Sequence, residues 1–197
     1  MAAYTEAAKT TPSSLLTNRL AAALLRSGQK DEANTLLADW LIKHPDDLAA
    51  TEQAAEANIA SDQLDAAAAY LEQILKTRPH DPVALNNLAW VMQQKGNNAR
   101  AERLGRQAYV LSPGAQTADT LGWILTTSGD VPNGVLLLRQ ASSETNSDPR
   151  IIYHYAVALI DTGDRVEAKK QLEFVVGKPG DFKEKAEAQK ALDELSK

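Results

Sequence analysis

Apolar residues recur at helical spacing along most of the chain, and the apolar stretches end at prolines or glycines. Three prolines mark a period, since Pro45, Pro79 and Pro113 are equally spaced and close the stretches WLIKHP, ILKTRP and YVLSP. Proline does not continue a helix interior, so each one indicates a helix end. The pattern therefore predicts an internal repeat of about 34 residues.

Four glycines keep the same period to within one position: Gly28, Gly96, Gly129 and Gly163. Each follows a helical stretch, where a left-handed C-cap favours glycine. Gly28 and Gly96 lie two periods apart, and Asp62 occupies the glycine position in the repeat between them. A second helical pattern separates each glycine position from the next proline, so one repeat is predicted to be a helical hairpin.

Five hairpins and two terminal segments follow from this period. The predicted hairpins span residues 14–47, 48–81, 82–114, 115–148 and 149–182. Residues 183–197 read as one amphipathic helix with a charged face, which we expect to cap the array. Residues 1–13 are interpreted as the tail of a truncated earlier repeat or as an N-terminal extension.

Small residues recur at two positions of every hairpin, where two helices can cross only if the side chains are small. They are Ala21, Ala33, Ala55, Ala67, Ala89, Ala101, Gly122, Gly134, Ala156 and Ala168. This pattern resembles the tetratricopeptide repeat (TPR) family, whose unit has small residues at its eighth and twentieth positions. A later position departs from the family, because Trp40, Ile74 and Val175 stand where Ala108 and Ala141 follow it. The resemblance implies an all-α, right-handed superhelix.

A narrower resemblance covers about residues 82–195, through ALNNLAWVMQQKG, DTLGWILTTSGD, YHYAVALIDTGDRVEAKKQLEFVV and GKPGDFKEKAEAQKALDEL. These phrases are similar to the C-terminal part of the TPR-repeat lipoproteins of PEP-CTERM systems, which accompany bacterial exopolysaccharide loci. The resemblance implies a periplasmic protein, anchored to the inner or outer membrane through a lipidated N-terminus. On this hypothesis the chain is a C-terminal fragment of a longer array.

The amino-acid composition of the chain limits the classes of partner that it is expected to bind. Aromatic residues make up 5% of the chain and hydrophobic residues 44%, many of them alanine, which favours packed helices. A net charge of -5 gives no positive field for nucleic acid. No stretch approaches the roughly 20 apolar residues of a membrane span. The expected partner is a protein or peptide, or a polysaccharide.

The first helix of each TPR hairpin lines the concave groove in this family, so its polar and aromatic positions are the predicted partner-binding residues. They are Asn86, Trp90, Gln93, Asp119, Trp123, Thr126, Tyr153 and Asp161. Trp90 and Trp123 occupy equivalent positions in adjacent repeats. They either form an aromatic platform for a ligand or pack between neighbouring first helices.

Three other kinds of chemistry are disfavoured. His44, His80 and His154 lie in different repeats without the spacing of a helical zinc site, and no phosphate loop or nucleophile elbow is present, so we predict neither catalysis nor a cofactor. Arg150 and His154 could meet a partner carboxylate, as in TPR clamps. The lysine that begins such a clamp is missing, because Asn86 and Asp119 occupy its position.

Three functions stay open from the sequence. The first is an interaction scaffold that binds a segment of an envelope protein in the groove. The second is a carbohydrate-handling surface that stacks polysaccharide on the tryptophans, and the third is a structural spacer. The apolar first-repeat segment LLTNRLAAALL also offers a surface for a homodimer.

Overall fold

The computed structural model describes residues 13–144, 148–180 and 182–196. Apart from Ser13, the predicted tail at residues 1–13 lies outside these ranges. The part that is described contains eleven helices and no strand, which confirms the all-α prediction. The helices are α1 (Ser14–Arg26), α2 (Lys30–Lys43), α3 (Leu48–Ala60), α4 (Leu64–Thr77), α5 (Pro82–Gln94), α6 (Asn98–Leu111), α7 (Ala115–Thr127), α8 (Val131–Glu144), α9 (Pro149–Asp161), α10 (Arg165–Gly177) and α11 (Lys183–Leu195).

The chain divides into two compact units, Met1–Asn97 and Asn98–Lys197. In the first unit the hairpins α1–α2 and α3–α4 pack together, and α5 packs against α4. In the second unit each helix from α6 to α11 packs against the next, and the first helices α7 and α9 also touch. The C-terminal helix α11 packs on α9 and α10, where Ala188 is fully buried.

The turn inside each hairpin carries the predicted left-handed residue. Four of these turns use glycine, with φ from 75° to 97° at Gly28, Gly96, Gly129 and Gly163. The second hairpin uses Asp62 instead, with φ of 57°. An L-residue is strained in this region, although aspartate tolerates it better than most. The shared conformation confirms that Asp62 holds the glycine position of its repeat.

The small residues of the predicted set are buried. All eight alanines of the predicted set are at most 1% exposed. The approach is closest between α7 and α8, where glycine stands at both positions. A Cβ atom on Gly134 would lie 2.8 Å from the carbonyl oxygen of Gly122 and 2.9 Å from the backbone nitrogen of Thr126. The Thr126 hydroxyl oxygen would lie closer still, and the other two neighbours are backbone atoms, so only a hydrogen fits at Gly134 without moving a helix.

We predict that Gly134→Ala lowers the free energy of unfolding by about 1–3 kcal/mol, because α7 and α8 must separate to admit the methyl group. The matched control is Gly105→Ala, where the new Cβ would lie 3.4 Å from Leu121 Cδ1, an ordinary contact. That control should be neutral or more stable by up to about 1 kcal/mol. Urea unfolding followed by far-UV circular dichroism tests both, and equal effects would contradict the close-approach account.

Asp47 ties the first repeat to the second. It caps α3 by accepting the Ala50 backbone N–H at 3.1 Å, and it accepts the Ser14 hydroxyl at 3.0 Å. Its other oxygen accepts the Trp40 indole N–H at 2.7 Å, and Trp40 in turn stacks on His44 with 4.0 Å between ring centroids. Partial burial raises the pKa of Asp47, but the hydrogen bonds from Trp40, Ala50 and Ser14 outweigh it and hold the pKa below 3.8.

Replacing Asp47 by alanine should lower the free energy of unfolding by about 1–3 kcal/mol at pH 7, since a cap and an indole acceptor are both lost. Asp148→Ala removes a cap that accepts the Arg150 backbone N–H at 3.0 Å and a half-exposed ion pair with the Arg150 guanidinium at 3.6 Å, and it should cost about 1 kcal/mol. Because the folded pKa of Asp47 is depressed, its ionised form stabilises the fold fully above the usual carboxyl pKa of 3.8.

That contribution is lost as the pH falls through the lower folded pKa. The stability difference between the natural chain and Asp47→Ala should therefore shrink between pH 7 and about pH 3. Urea midpoints measured at both pH values check this. A difference that grows as the solution is acidified would show that the carboxylate is not the stabilising form.

Candidate partner-binding face of the first helices

The predicted binding residues all lie on first helices, but they divide between the two units. The first unit holds Asn86, Trp90 and Gln93 on α5. The second unit holds Asp119, Trp123 and Thr126 on α7, and Tyr153 and Asp161 on α9. Trp90 and Trp123 thus belong to different units, and each group is described separately.

On α5, three half-buried side chains follow one another at helical spacing: Asn86, Trp90 and Gln93. The side-chain oxygen of Asn86 is buried and accepts no hydrogen bond from any described residue. The Gln93 oxygen accepts an N–H from the Gln94 side chain at 2.6 Å. A buried amide oxygen of this kind is satisfied when a ligand or water brings an N–H or O–H donor to it.

On α7 and α9, an aromatic and ionic cluster joins two neighbouring first helices. Trp123 stacks on His154 with 4.2 Å between ring centroids and an interplanar angle of 16°. The ring of His154 is held by Asp119, whose Oδ1 lies 2.8 Å from Nδ1. A carboxylate can only accept, so Nδ1 carries the proton in this contact. We call Asp119, Trp123, His154 and Arg150 the Trp123 platform.

Arg150 completes the charge arrangement of this platform. Its Nε lies 4.0 Å from Asp119 Oδ2, and its Nη2 lies 3.6 Å from Asp148 Oδ2. The Asp119 side chain is only 5% exposed, whereas the Arg150 side chain is 44% exposed. The buried carboxylate of Asp119 is therefore paired with both His154 and Arg150, and the Arg150 guanidinium still reaches solvent.

The remaining predicted residues on these helices differ in their access to solvent. Thr126 is buried beside the close approach to Gly134, and its hydroxyl donates to the Gly122 carbonyl at 2.9 Å. It cannot contact a ligand in this arrangement. Asp161 is exposed, and Tyr153 is half-buried. Burial and then the nearby carboxylate of Glu187 raise the pKa of Tyr153, so its hydroxyl stays protonated at neutral pH.

From the sequence, Arg150 and His154 are candidate groups for a partner's carboxylate, whereas the structure pairs both with Asp119 of the same chain. The available signal was the interval of 35 residues between Asp119 and His154, one repeat plus one residue. The Trp123 contact is also the neighbour packing that the second interpretation of the tryptophans expects. Trp123 is nevertheless only partly buried, so part of its surface stays accessible.

The described residues contain no group of three or more histidine, aspartate or glutamate side chains that could hold a metal ion. Among the same residues, no helix is both long and apolar enough to cross a membrane.

Paired helices stacked through small residues define a helical-repeat protein. A family profile described as tetratricopeptide repeat matches residues 58–107 of this chain. The fold agrees. A tetratricopeptide repeat protein of Parabacteroides merdae superposes with a TM-score of 0.80 at 15% identity, covering 98% of this chain and 77% of that one. A thermophilic TPR protein of Thermus thermophilus gives 0.75 at 18% identity, with 93% and 99% covered.

One relative carries a functional name. The chain is 28% identical over 138 residues to cellulose synthase 1 operon protein C of Komagataeibacter xylinus. The match covers 66% of this chain and 10% of that protein, so the chain spans about a tenth of the length of this relative.

A double-mutant cycle between Asp119→Ala and His154→Ala should give a coupling energy of about 1–2 kcal/mol, because each residue satisfies the other in a buried pair. The cycle requires the free energy of unfolding, measured in urea, for the natural chain, each single variant and the double variant. A control cycle of Asp161→Ala with His154→Ala should be additive within about 0.5 kcal/mol, since Asp161 is exposed. Additivity in the first cycle would mean that the Asp119 to His154 contact contributes nothing.

Proposed function

We infer that this chain is a non-enzymatic interaction scaffold, which binds an extended or helical segment of a partner protein on the first-helix face. We propose that it acts in the periplasm-facing part of a bacterial exopolysaccharide or protein-sorting system. The residues proposed to contact the partner are Asn86, Trp90 and Gln93 in the first unit and Trp123, Tyr153 and Asp161 in the second. The alternative of a homodimer through the first-repeat face stays a prediction.

The observation that carries the proposal is the Trp123 platform. Trp123 and Arg150 are residue types that dominate binding energy at protein interfaces. His154 and Asp119 hold them through contacts between two different helices, so little side-chain freedom is left to lose on binding. A surface that is aromatic, partly exposed and already ordered is suited to recognition.

The envelope setting depends on two resemblances. The relative from Komagataeibacter xylinus is named for a cellulose synthase operon, and cellulose is an exopolysaccharide. The phrases over residues 82–195 resemble lipoproteins that accompany exopolysaccharide loci. Both support a role beside polymer export, in which the repeats bind another protein of the same system.

A second candidate function uses the same face for carbohydrate. The name of the same relative favours it, because a flat tryptophan ring can stack on a sugar. Neutral oligosaccharides should then quench the fluorescence of Trp123, while Trp40, hydrogen-bonded to Asp47, supplies a constant background. A titration that leaves the fluorescence unchanged would favour the protein partner.

Site-specific photo-crosslinking tests the first candidate. A photo-reactive phenylalanine at Asp161, exposed on α9, should crosslink to one discrete protein in envelope preparations of the source bacterium. Adding Trp123→Ala should lower the crosslinking yield about fivefold or more, because an aromatic anchor typically contributes about 1–2 kcal/mol or more.

The matched control places the same reactive residue at Lys169, which is exposed on the second helix α10. It should give no discrete product. Far-UV circular dichroism establishes that Trp123→Ala keeps its helices. If Lys169 and Asp161 yield the same products, or if Trp123→Ala leaves the yield unchanged, the partner does not bind the first-helix face.

A further inference from the structure

A cleft of about 250 Å³ opens between α3, α4 and α5 in the first unit. Its floor is apolar and includes Ala55, Leu71 and Ile74, each at most 2% exposed. Val83 lines its edge and is 63% exposed. The cleft shares no residue with the proposed partner-contact set, so it is a separate feature of the molecule.

In the first repeat, the side chain of Trp40 occupies the position that corresponds to this cleft. Trp40 precedes Ile74 by one period of the repeat, and His44 precedes Arg78 by the same interval. The Trp40 indole packs against the core of the first repeat and stacks on the His44 ring. The second repeat therefore has a smaller aliphatic side chain and a cleft where the first has an indole.

The polar group that holds the Trp40 indole also has a counterpart beside the cleft. Asp81 follows Asp47 by one period, lines the cleft and caps the next first helix in the same way. Its Oδ1 accepts the Ala84 backbone N–H at 3.0 Å, and its Oδ2 lies 3.4 Å from Arg78 Nε. An aromatic N–H that enters the cleft would meet a carboxylate placed like the one that Trp40 uses.

Acidic side chains dominate the edge of the cleft. Among its lining residues, Glu52, Glu56 and Asp81 are acidic and Arg78 is the single base, which leaves a formal charge of -2 (three acids minus one base). Arg78 is already paired with both Glu52 and Asp81. Glu56 is exposed. This balance favours a positively charged ligand.

We propose that this cleft binds an aromatic side chain of a partner protein, on a segment where lysine or arginine flanks that aromatic residue. The volume is sufficient, since an apolar cavity of roughly 150 Å³ accepts benzene. The apolar floor takes the ring, Asp81 accepts an N–H, and Glu56 faces the flanking cation. The site adds a second anchoring point to the proposed scaffold, in repeats other than those of the Trp123 platform.

The test uses the full chain and a short synthetic probe, the acetylated and amidated tripeptide Lys-Trp-Lys. In ¹⁵N–¹H correlation spectra, this probe should shift the amides of Ala55, Ile74 and Val83 with a dissociation constant on the order of 1 mM. The tripeptide Lys-Ala-Lys should leave them in place at about 10 mM, because it lacks the ring. Glu-Trp-Glu should bind more weakly than Lys-Trp-Lys, because the edge is acidic.

The first repeat supplies the matched variant, because Ile74→Trp recreates the residue found at Trp40. The new indole should occupy the cleft, leave the thermal midpoint unchanged or raised, and abolish the shifts caused by Lys-Trp-Lys. Glu56→Lys is the second variant, at an exposed position on the edge of the cleft. It should weaken Lys-Trp-Lys binding roughly two- to tenfold and strengthen Glu-Trp-Glu binding.

Two results would overturn the proposal. One is the absence of shifts with Lys-Trp-Lys at about 10 mM, or shifts that persist in a folded Ile74→Trp variant. The other is movement of the same amides when the free chain is simply concentrated, which would make a second copy the occupant. Neither result depends on the envelope partner or on Trp123, so the function proposed for the first-helix face is tested separately.

Discussion

The arrangement of side chains within a repeat depends on how closely its two helices approach. At the α7–α8 crossing, Gly134 has backbone atoms of Gly122 and Thr126 where a Cβ would stand. That contact fixes the rotation of each helix, because a helix that turned about its axis would bring a larger side chain into the crossing. The adjoining face of α7 then presents Asp119 and Trp123 toward α9. Packing inside the hairpin thus determines which residues the neighbouring repeat meets.

Sequence was sufficient for features that depend on local sterics. The helix ends, the small residues and the left-handed turn position all follow from what the backbone permits, and even Asp62 could be assigned from its place in the period. Pairings across repeats were not predictable in this way. The Asp119 to His154 contact joins residues 35 apart, and the residues adjacent to either one in the sequence do not indicate it. The burial of Thr126 was equally hidden, because it follows from the space left beside Gly134.

Trp40 and Trp123 each stack on a histidine, but they do so at different places in the repeat. Trp40 is partly buried at the boundary between repeats, where it stacks on His44 and donates a hydrogen bond to Asp47. Trp123 is also partly buried and also stacks on a histidine, but that histidine lies on the next first helix. The same stacking geometry therefore joins the end of a second helix to the loop after it at Trp40, and two neighbouring first helices at Trp123.

Asp62 has a consequence for how this array can change over generations. It holds an L-residue in a backbone conformation that the other repeats give to glycine, so the second hairpin carries conformational strain that one codon change can relieve. A lineage that acquired glycine there would gain tolerance toward destabilising changes elsewhere in the first unit. The binding surfaces of its repeats could then diversify further before folding failed.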